Sequence, residues 1–267
     1  MRNYKTPTLT IAGSDSSGGA GVQADLKTFS AIGTYGMSVI TAITAQNTQG
    51  VFLVEDLSKE IIEKQIEVVF EDIKPAAVKI GMVSSPEIIN TIVNTLKKYN
   101  PKYLVVDPVM ISKSGYSLLK PEAKKSLIEE LIPMAYIITP NTLEAEEIVG
   151  MKINTVDDMR EVGQKILELG PKYVLMKGGH LQGDAVDVLI GKDTFEIYKQ
   201  ERLDRKNTHG TGCTLSSAIT SYLALEYDIV EAVKLSKEYI TEAIRESFDI
   251  GKGVGPVNHF YNFQNLK

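Results

Sequence analysis

Six apolar runs in this chain each break off at a polar residue or a glycine, and helical stretches separate them. They are "TLTIAGSD" (Thr8–Asp15), "MSVITAITAQN" (Met37–Asn47), "AAVKIGM" (Ala76–Met82), "KYLVVDPV" (Lys102–Val109), "AYIITPN" (Ala135–Asn141) and "KYVLMKGG" (Lys172–Gly179). Runs without polar alternation read as strands covered on both faces, and strands spaced by helices form a mostly parallel sheet. The expected fold is therefore α/β: a mostly parallel central sheet with helices on both faces. No linker or shift of composition divides the chain, so a single domain over residues 1–267 is expected.

The helical stretches carry their own punctuation. "VQADLKTFSAIG" follows the first run at helical spacing. Ser58–Ile73 is amphipathic and opens on a serine cap. Ser85 caps "PEIINTIVNTLKKY", with Pro86 at the first helical position. Pro121–Ile132 and Val156–Leu169 read as helices, as do the closing Cys213–Glu226 and Val230–Phe248. "AVDVLIGKDTFEIYKQ" reads as two strands joined by a tight turn.

Composition excludes several classes. The 29 Lys and Arg against 34 Asp and Glu give a net charge of -5, which argues against nucleic acid as a partner. No apolar run approaches a membrane span, and the first residues lack a signal-peptide core, so a cytoplasmic protein is expected. A single cysteine forms no intrachain disulfide, and the three histidines are too scattered for a His/Cys zinc cluster.

In an open parallel sheet, ligands bind beyond the carboxyl ends of the strands. The polar residues there are Ser14, Asp15, Gln46, Asn47, Lys79, Asp107, Asn141 and Lys177. "SDSSGGAG" is a glycine-rich strand-to-helix turn, but it matches neither the G-x-G-x-x-G nor the G-x-x-x-x-G-K-[ST] fingerprint. Asn141 and Glu144 stand three apart at a helix start. They form either a capping box or a pair of hard oxygen ligands for Mg²⁺. Asp107 precedes a proline, and Lys177 precedes two glycines that leave room for a phosphate. In "NTHGTGCTLSSAI", Gly210, Thr211 and Gly212 lead into a helix whose first N–H groups lack acceptors, a ready anion cradle. Cys213 in that turn is either a packing residue or a thiol whose ionisation the helix dipole favours.

In this order the motifs resemble the ribokinase-like superfamily. Within its vitamin-kinase branch, they are most similar to the hydroxymethylpyrimidine/phosphomethylpyrimidine kinases of thiamine biosynthesis. "TIAGSDSSGGAGVQADLKTF", "TAITAQNTQGV", "KIGM", "VDPVM", "TPNTLEAE", "MKGGH", "THGTGCTLSSAI" and "GVGPVNH" carry the likeness over nearly the whole chain. The resemblance implies ATP-dependent phosphorylation of an aminopyrimidine alcohol and then of its monophosphate, with Mg²⁺. It implies a catalytic anion hole at Gly210, Thr211 and Gly212, with Cys213 where sugar kinases carry an aspartate base. It further implies ATP phosphate contacts at Lys177, Asn141 and Asp107, and Mg²⁺ held by Glu144 and Asp107, partly through water. Gln46 would pair with the pyrimidine edge, and Gly13, Ala20, Met82 and Val109 would line its pocket. The resemblance also suggests a homodimer. The alternative is a pyridoxine/pyridoxal kinase of the same branch. With no long lid evident, the loops "ISKSGYS" and "RKNTHG" are the candidates to complete the site.

Overall fold

The computed structural model describes residues 5–110, 115, 116, 118–179 and 184–263. Its elements are β1 (Pro7–Ala12), α1 (Gly21–Ile32), β2 (Tyr35–Ile40), β3 (Ala42–Asn47), β4 (Gly50–Asp56), α2 (Lys59–Asp72), β5 (Ala77–Ile80), α3 (Pro86–Tyr99) and β6 (Leu104–Val106). There follow α4 (Ala123–Ser126), β7 (Ile137–Ile138), α5 (Thr142–Val149), α6 (Val156–Leu167), β8 (Tyr173–Lys177), β9 (Ala185–Gly191), β10 (Thr194–Gln200), α7 (Thr211–Ala224) and α8 (Ile229–Arg245). One eight-stranded sheet runs β10-β9-β8-β7-β6-β5-β1-β2. It is parallel from β2 to β8, with β9 and β10 added antiparallel as the expected hairpin. This is the mostly parallel α/β architecture read from the sequence. The order reverses at β1, which pairs with β2 on one side and β5 on the other. Such a switch point opens a crevice beyond the strand ends.

The period-2 alternation of strand side chains sorts the sheet into two faces. Leu9, Ile11, Val78, Ile80, Leu104, Val106, Ile138, Val174, Met176, Val188 and Ile190 pack with Ile62, Ile66, Ile89, Ile92, Met159 and Val162 of α2, α3 and α6. On the other face, Val105, Ile137, Leu175 and Leu189 meet Leu215, Ile219, Leu223 and Ile240 of α7 and α8. Toward β1 that second face turns polar, with Thr8, Thr10, Asp25, Lys79, Ser217, Thr220 and Ser221 all buried.

The structure corrects three readings. The run Met37–Asn47 is two strands, broken at Thr41. The Thr41 N–H donates to Ala12 O, its hydroxyl donates to Met82 O, and β3 then leaves the main sheet. β3 pairs antiparallel with β4, a strand the sequence reading missed. No glycine or proline marks this break, because hydrogen bonds to distant strands make it. Gln46 and Asn47 therefore sit on a separate hairpin and not at the end of a main-sheet strand. Pro121–Ile132 is α-helical only over Ala123–Ser126; a π turn, Leu127–Leu131, and a 3-10 turn, Ile132–Met134, complete it. Leu127, Leu131 and Ile132 are all buried, and the wider turn brings these unevenly spaced side chains onto one core. Ser58 stands at the cap of α2, but its side chain accepts no cap bond from the helix, whereas Ser85 accepts from Ile88 N–H at the start of α3.

Candidate active site

Two parallel strands, β6 and β8, deliver charged groups to the start of α7. Asp107 follows β6 and is buried by close packing, with Thr139, Lys177 and Ser216 around its carboxylate. Lys177 ends β8, and its ammonium donates to Asp107 Oδ1 at 3.0 Å. Burial opposes the charge on Asp107, but Lys177 and Lys79 outweigh it and hold the carboxyl below its ordinary value. The same partnership raises Lys177 against the cost of its own burial. A Cβ placed on Gly212 would lie 3.5 Å from Asp107 Oδ2 and 3.6 Å from Lys177 Nζ. The acid–lysine pair thus borders the first turn of α7 directly, where N–H groups lack intrahelical acceptors and the helix dipole is positive.

Asn141 and Glu144 form a complete capping box: Glu144 N–H donates to Asn141 Oδ1 at 2.9 Å, and Asn141 N–H to Glu144 Oε2 at 2.8 Å. Burial drives the Glu144 carboxyl up to about 7, opposed by Lys177 and reinforced by Asp107. The cap and a ligand role are therefore compatible: one oxygen is used for the cap, and the carboxyl remains short of positive charge. Among the described residues no three His, Cys, Asp or Glu side chains gather into a metal-binding group. A metal here would need oxygens from a ligand. That fits Mg²⁺ carried on nucleotide phosphates, with Glu144 and Asp107 as the protein's hard donors.

The two glycine turns interlock. Gly210 has φ +80°, and a Cβ there would collide with Gly19 O; a Cβ on Gly19 would collide with the His209 imidazole. Both positions demand glycine because two backbones and a ring occupy one space. Asp15 anchors the first turn, accepting from the N–H groups of Ser17, Gly19 and Ala20 and from the Ser17 hydroxyl. His209 Nε2 lies 2.8 Å from Asp15 Oδ2. Burial opposes ionisation of Asp15, but these partners bring its carboxyl down to about 2. Gln46, on β3, reaches the same ring, 3.3 Å from Nε2.

Burial pushes the Cys213 thiol up to about 11; Lys79 pulls it down, and Asp25 and Asp107 push it up again. The helix dipole therefore does not act on this thiol alone: burial and the carboxylates of Asp25 and Asp107 oppose the pull of Lys79 and of the Gly21 N–H that faces the sulfur. Lys79 is likewise not a free strand-end group. It is fully buried in β5, bonding both oxygens of Asp25 at 2.9 and 2.8 Å, and Thr10 and Ser217 complete the carboxylate's shell.

The expected pocket residues fall partly together. Gly13 and Met82 meet beyond the ends of β1 and β5, where a Cβ on Gly13 would lie 2.9 Å from Met82 Sδ. Ala20 is in the Asp15 turn and Val109 follows Asp107, its N–H bonded to Asp107 O. Most of the "ISKSGYS" loop lies outside the described residues. "RKNTHG" is held by a segment near the end of the chain: His209 N–H donates to Gly255 O, Gly255 N–H to Asn207 Oδ1, and Asn207 Nδ2 to Asp249. The same segment grips the tip of the β3–β4 hairpin, with Val254 N–H on Thr48 O and Gly253 N–H on Thr48 Oγ1. Sequence reasoning missed this clasp, the hairpin and His209. The one available signal was that His209 directly precedes the Gly210 turn.

An open parallel sheet with a switch-point crevice, an anion-ready helix start and a lysine–carboxylate cluster defines a phosphoryl-transfer enzyme of the ribokinase-like kind. The phosphomethylpyrimidine kinase family model matches residues 15–258, and the chain belongs to that family of ATP-dependent kinases. A hydroxymethylpyrimidine/phosphomethylpyrimidine kinase of Rhizobium meliloti is 50% identical over 96% of this chain and 97% of its own length. A crystal structure of phosphomethylpyrimidine kinase from Clostridium difficile is 76% identical with a TM-score of 0.81, covering 89% of this chain and 99% of that one. An ADP complex of Bacillus subtilis pyridoxal kinase is 42% identical with a TM-score of 0.90, covering 97% and 99%.

Proposed function

We propose that the chain, as one kinase domain over residues 1–267, transfers the γ-phosphoryl group of ATP to 4-amino-5-hydroxymethyl-2-methylpyrimidine, and then to the monophosphate to give the diphosphate, within thiamine biosynthesis. The observation that carries the reading is the Asp107–Lys177 pair beside the Gly210–Cys213 turn, with Glu144 in electrostatic reach of both and Gln46 approaching from the hairpin. Phosphoryl transfer needs positioning and charge neutralisation more than covalent chemistry. The backbone N–H groups of Gly210, Thr211, Gly212 and Cys213 would cradle the transferring group, and Lys177 would lend its charge beside them. Asn141 and Asp107 would contact nucleotide phosphates. Mg²⁺, held by Glu144 and Asp107, would neutralise phosphate charge. Gly13, Ala20, Met82 and Val109 would flank the ring, and Gln46 would pair with its edge. Cys213, in the same turn, would take the alcohol's proton in the first transfer, whereas the anionic monophosphate of the second transfer needs no base.

The likeness to Bacillus subtilis pyridoxal kinase supports a second reading, phosphorylation of B6 vitamers. A primary amide at Gln46 matches the donor and acceptor pair of an aminopyrimidine better than a pyridine, which favours the first. The test is ADP release with the aminopyrimidine alcohol, its monophosphate, pyridoxal and pyridoxine in turn. Turnover of both pyrimidines, abolished by chelating Mg²⁺, is expected; turnover of B6 vitamers alone would overturn the reading. A cytoplasmic enzyme fits its need for ATP. A homodimer is supported by the exposed apolar Ile43, Phe52 and Leu53 of the hairpin. The net charge of -5 supports a small-molecule partner over nucleic acid. No helix of the described residues is long and apolar enough to cross a membrane.

A further inference from the structure

Nε2 of His209 faces two partners at once: Asp15 Oδ2 at 2.8 Å and the side-chain nitrogen of Gln46 at 3.3 Å. An imidazole nitrogen carries either a proton or a lone pair in its plane, never both. Asp15 already accepts four hydrogen bonds from its own turn and, as a carboxylate, can only accept. Nε2 therefore bears the proton and donates to Asp15, and it has nothing with which to accept from an NH₂ group. A second conflict lies at the other end of the same amide. Thr44 Oγ1 is 3.4 Å from the Gln46 oxygen, yet its single hydrogen is engaged at 2.8 Å by Ser14 O. Toward Gln46 that hydroxyl can only accept.

Turning the Gln46 amide end for end, which exchanges oxygen and nitrogen in nearly the same volume, removes the conflict at Thr44 and replaces a donor facing a donor at His209 with a shared hydrogen. The one Nε2–H hydrogen then points mainly to Asp15 at 2.8 Å, with Gln46 Oε1 as the longer arm of a three-centre bond at 3.3 Å, and the NH₂ group donates to Thr44 Oγ1. The ring that sets this choice is hemmed in: Gly19 abuts its edge, Asp15 binds its Nε2, and its backbone is bonded to the Gly255 segment.

We propose that His209 is a specificity-determining positioning residue: held by Asp15 with its proton on Nε2, it orients the Gln46 amide with oxygen toward the imidazole and NH₂ toward Thr44. The remaining amide lone pair and hydrogen then meet the substrate in one fixed sense. They select a flat nitrogen heterocycle that offers a hydrogen-bond donor and a ring-nitrogen acceptor on one edge. The ligand class rests on the function proposed above; the orientation of Gln46 does not.

Two measurements separate these layers. In the ligand-free protein, ¹⁵N NMR of labelled histidine and glutamine reads the His209 tautomer and the Gln46 amide directly. An Nε2–H tautomer with a slowly rotating Gln46 NH₂ is expected, and an Nδ1–H tautomer overturns the proposal whatever the substrate is. Steady-state kinetics with the aminopyrimidine alcohol then tests the consequence. His209→Leu should raise its KM about 10-fold, the worth of one ordinary hydrogen bond, while the KM for ATP stays put. His209→Gln, which returns an N–H near the Nε2 position, should recover most of the loss. In a Gln46→Leu background, His209→Leu should add nothing. An undiminished effect in that background, or an equal rise in the KM for ATP, means that His209 acts structurally and sinks the proposal. If the wild-type enzyme turns over B6 vitamers and not the aminopyrimidine, the function reading fails, and the NMR result still decides the orientation.

Discussion

The two faces of the central sheet are built from different materials. Under α2, α3 and α6 the interior is almost wholly hydrocarbon, from Leu9 and Ile11 across to Val188 and Ile190. Under the start of α7 the same strand β1 presents Thr8 and Thr10, and these meet Asp25, Lys79, Ser217, Thr34 and Ser221 in hydrogen bonds. Adjacent residues of one strand, Thr10 and Ile11, thus belong to two kinds of core. The hydrocarbon side is held by area and volume, so exchanges that keep volume are mild there. The polar side is held by mutual satisfaction of donors and acceptors, where deleting one member strands the others. The second kind lies against the site, and it fixes the direction of side chains and backbone where direction matters.

The comparison breaks most visibly at Lys79. Lys79→Met should destabilise the protein by about 3–5 kcal/mol, because Asp25 is left buried and charged. In urea denaturation the Lys79→Met/Asp25→Asn pair should recover part of that loss; a single variant as stable as wild type would show that the ion pair holds nothing. Glu144 probes the site's edge. Its carboxyl is raised from 4.5 to about 7, so its contribution to stability is full below 4.5 and is lost as pH rises through about 7. Relative to wild type, Glu144→Gln should therefore gain roughly 3 kcal/mol across that window. A difference that stays flat with pH would show an ordinary carboxyl. The same variant should lose kcat more than ATP affinity if the metal reading holds.

Within β1 the contrast sharpens to a single step of the chain. Thr10→Val keeps shape but deprives Asp25 of a 2.6 Å bond, a loss of about 1.5–3 kcal/mol for a hydrogen bond to a charged group. Ile11→Val, facing the hydrocarbon side, should cost about 0.5–1.5 kcal/mol with kcat unchanged. Equal losses at the two positions would dissolve the distinction. The smallest effect is chemical. Alkylation of Cys213 by iodoacetamide should be slow at neutral pH and climb steadily toward about 11. A plateau near neutrality would restore the thiolate.

The alternation of apolar runs and helices made the parallel sheet legible, because a strand covered on both faces has to be apolar throughout. Asp107, Asn141 and Lys177 were legible for a related reason: polar residues that end such strands point beyond the sheet. The break at Thr41 was not, since its cause is hydrogen bonding to Ala12 and Met82, far away in the chain. Nor was the state of Cys213, which depends on enclosure and on Lys79, Asp25 and Asp107, brought near it by folding. Gln46 could be picked out by type, but its partner His209 stands 163 residues away, a distance that only the fold closes.

The clasp formed by residues 249–257 has a consequence for the order in which the protein is made. The turn at Asn207–His209 and the hairpin tip at Thr48 are both secured by backbone groups of Gly253, Val254 and Gly255. A ribosome delivers those groups some forty residues after His209 and two hundred after Thr48, so every strand of the sheet has been made before the clasp exists. Of the contacts that fasten the site, the clasp is thus the last to become available, and the Asn207–His209 turn and the hairpin tip wait on it.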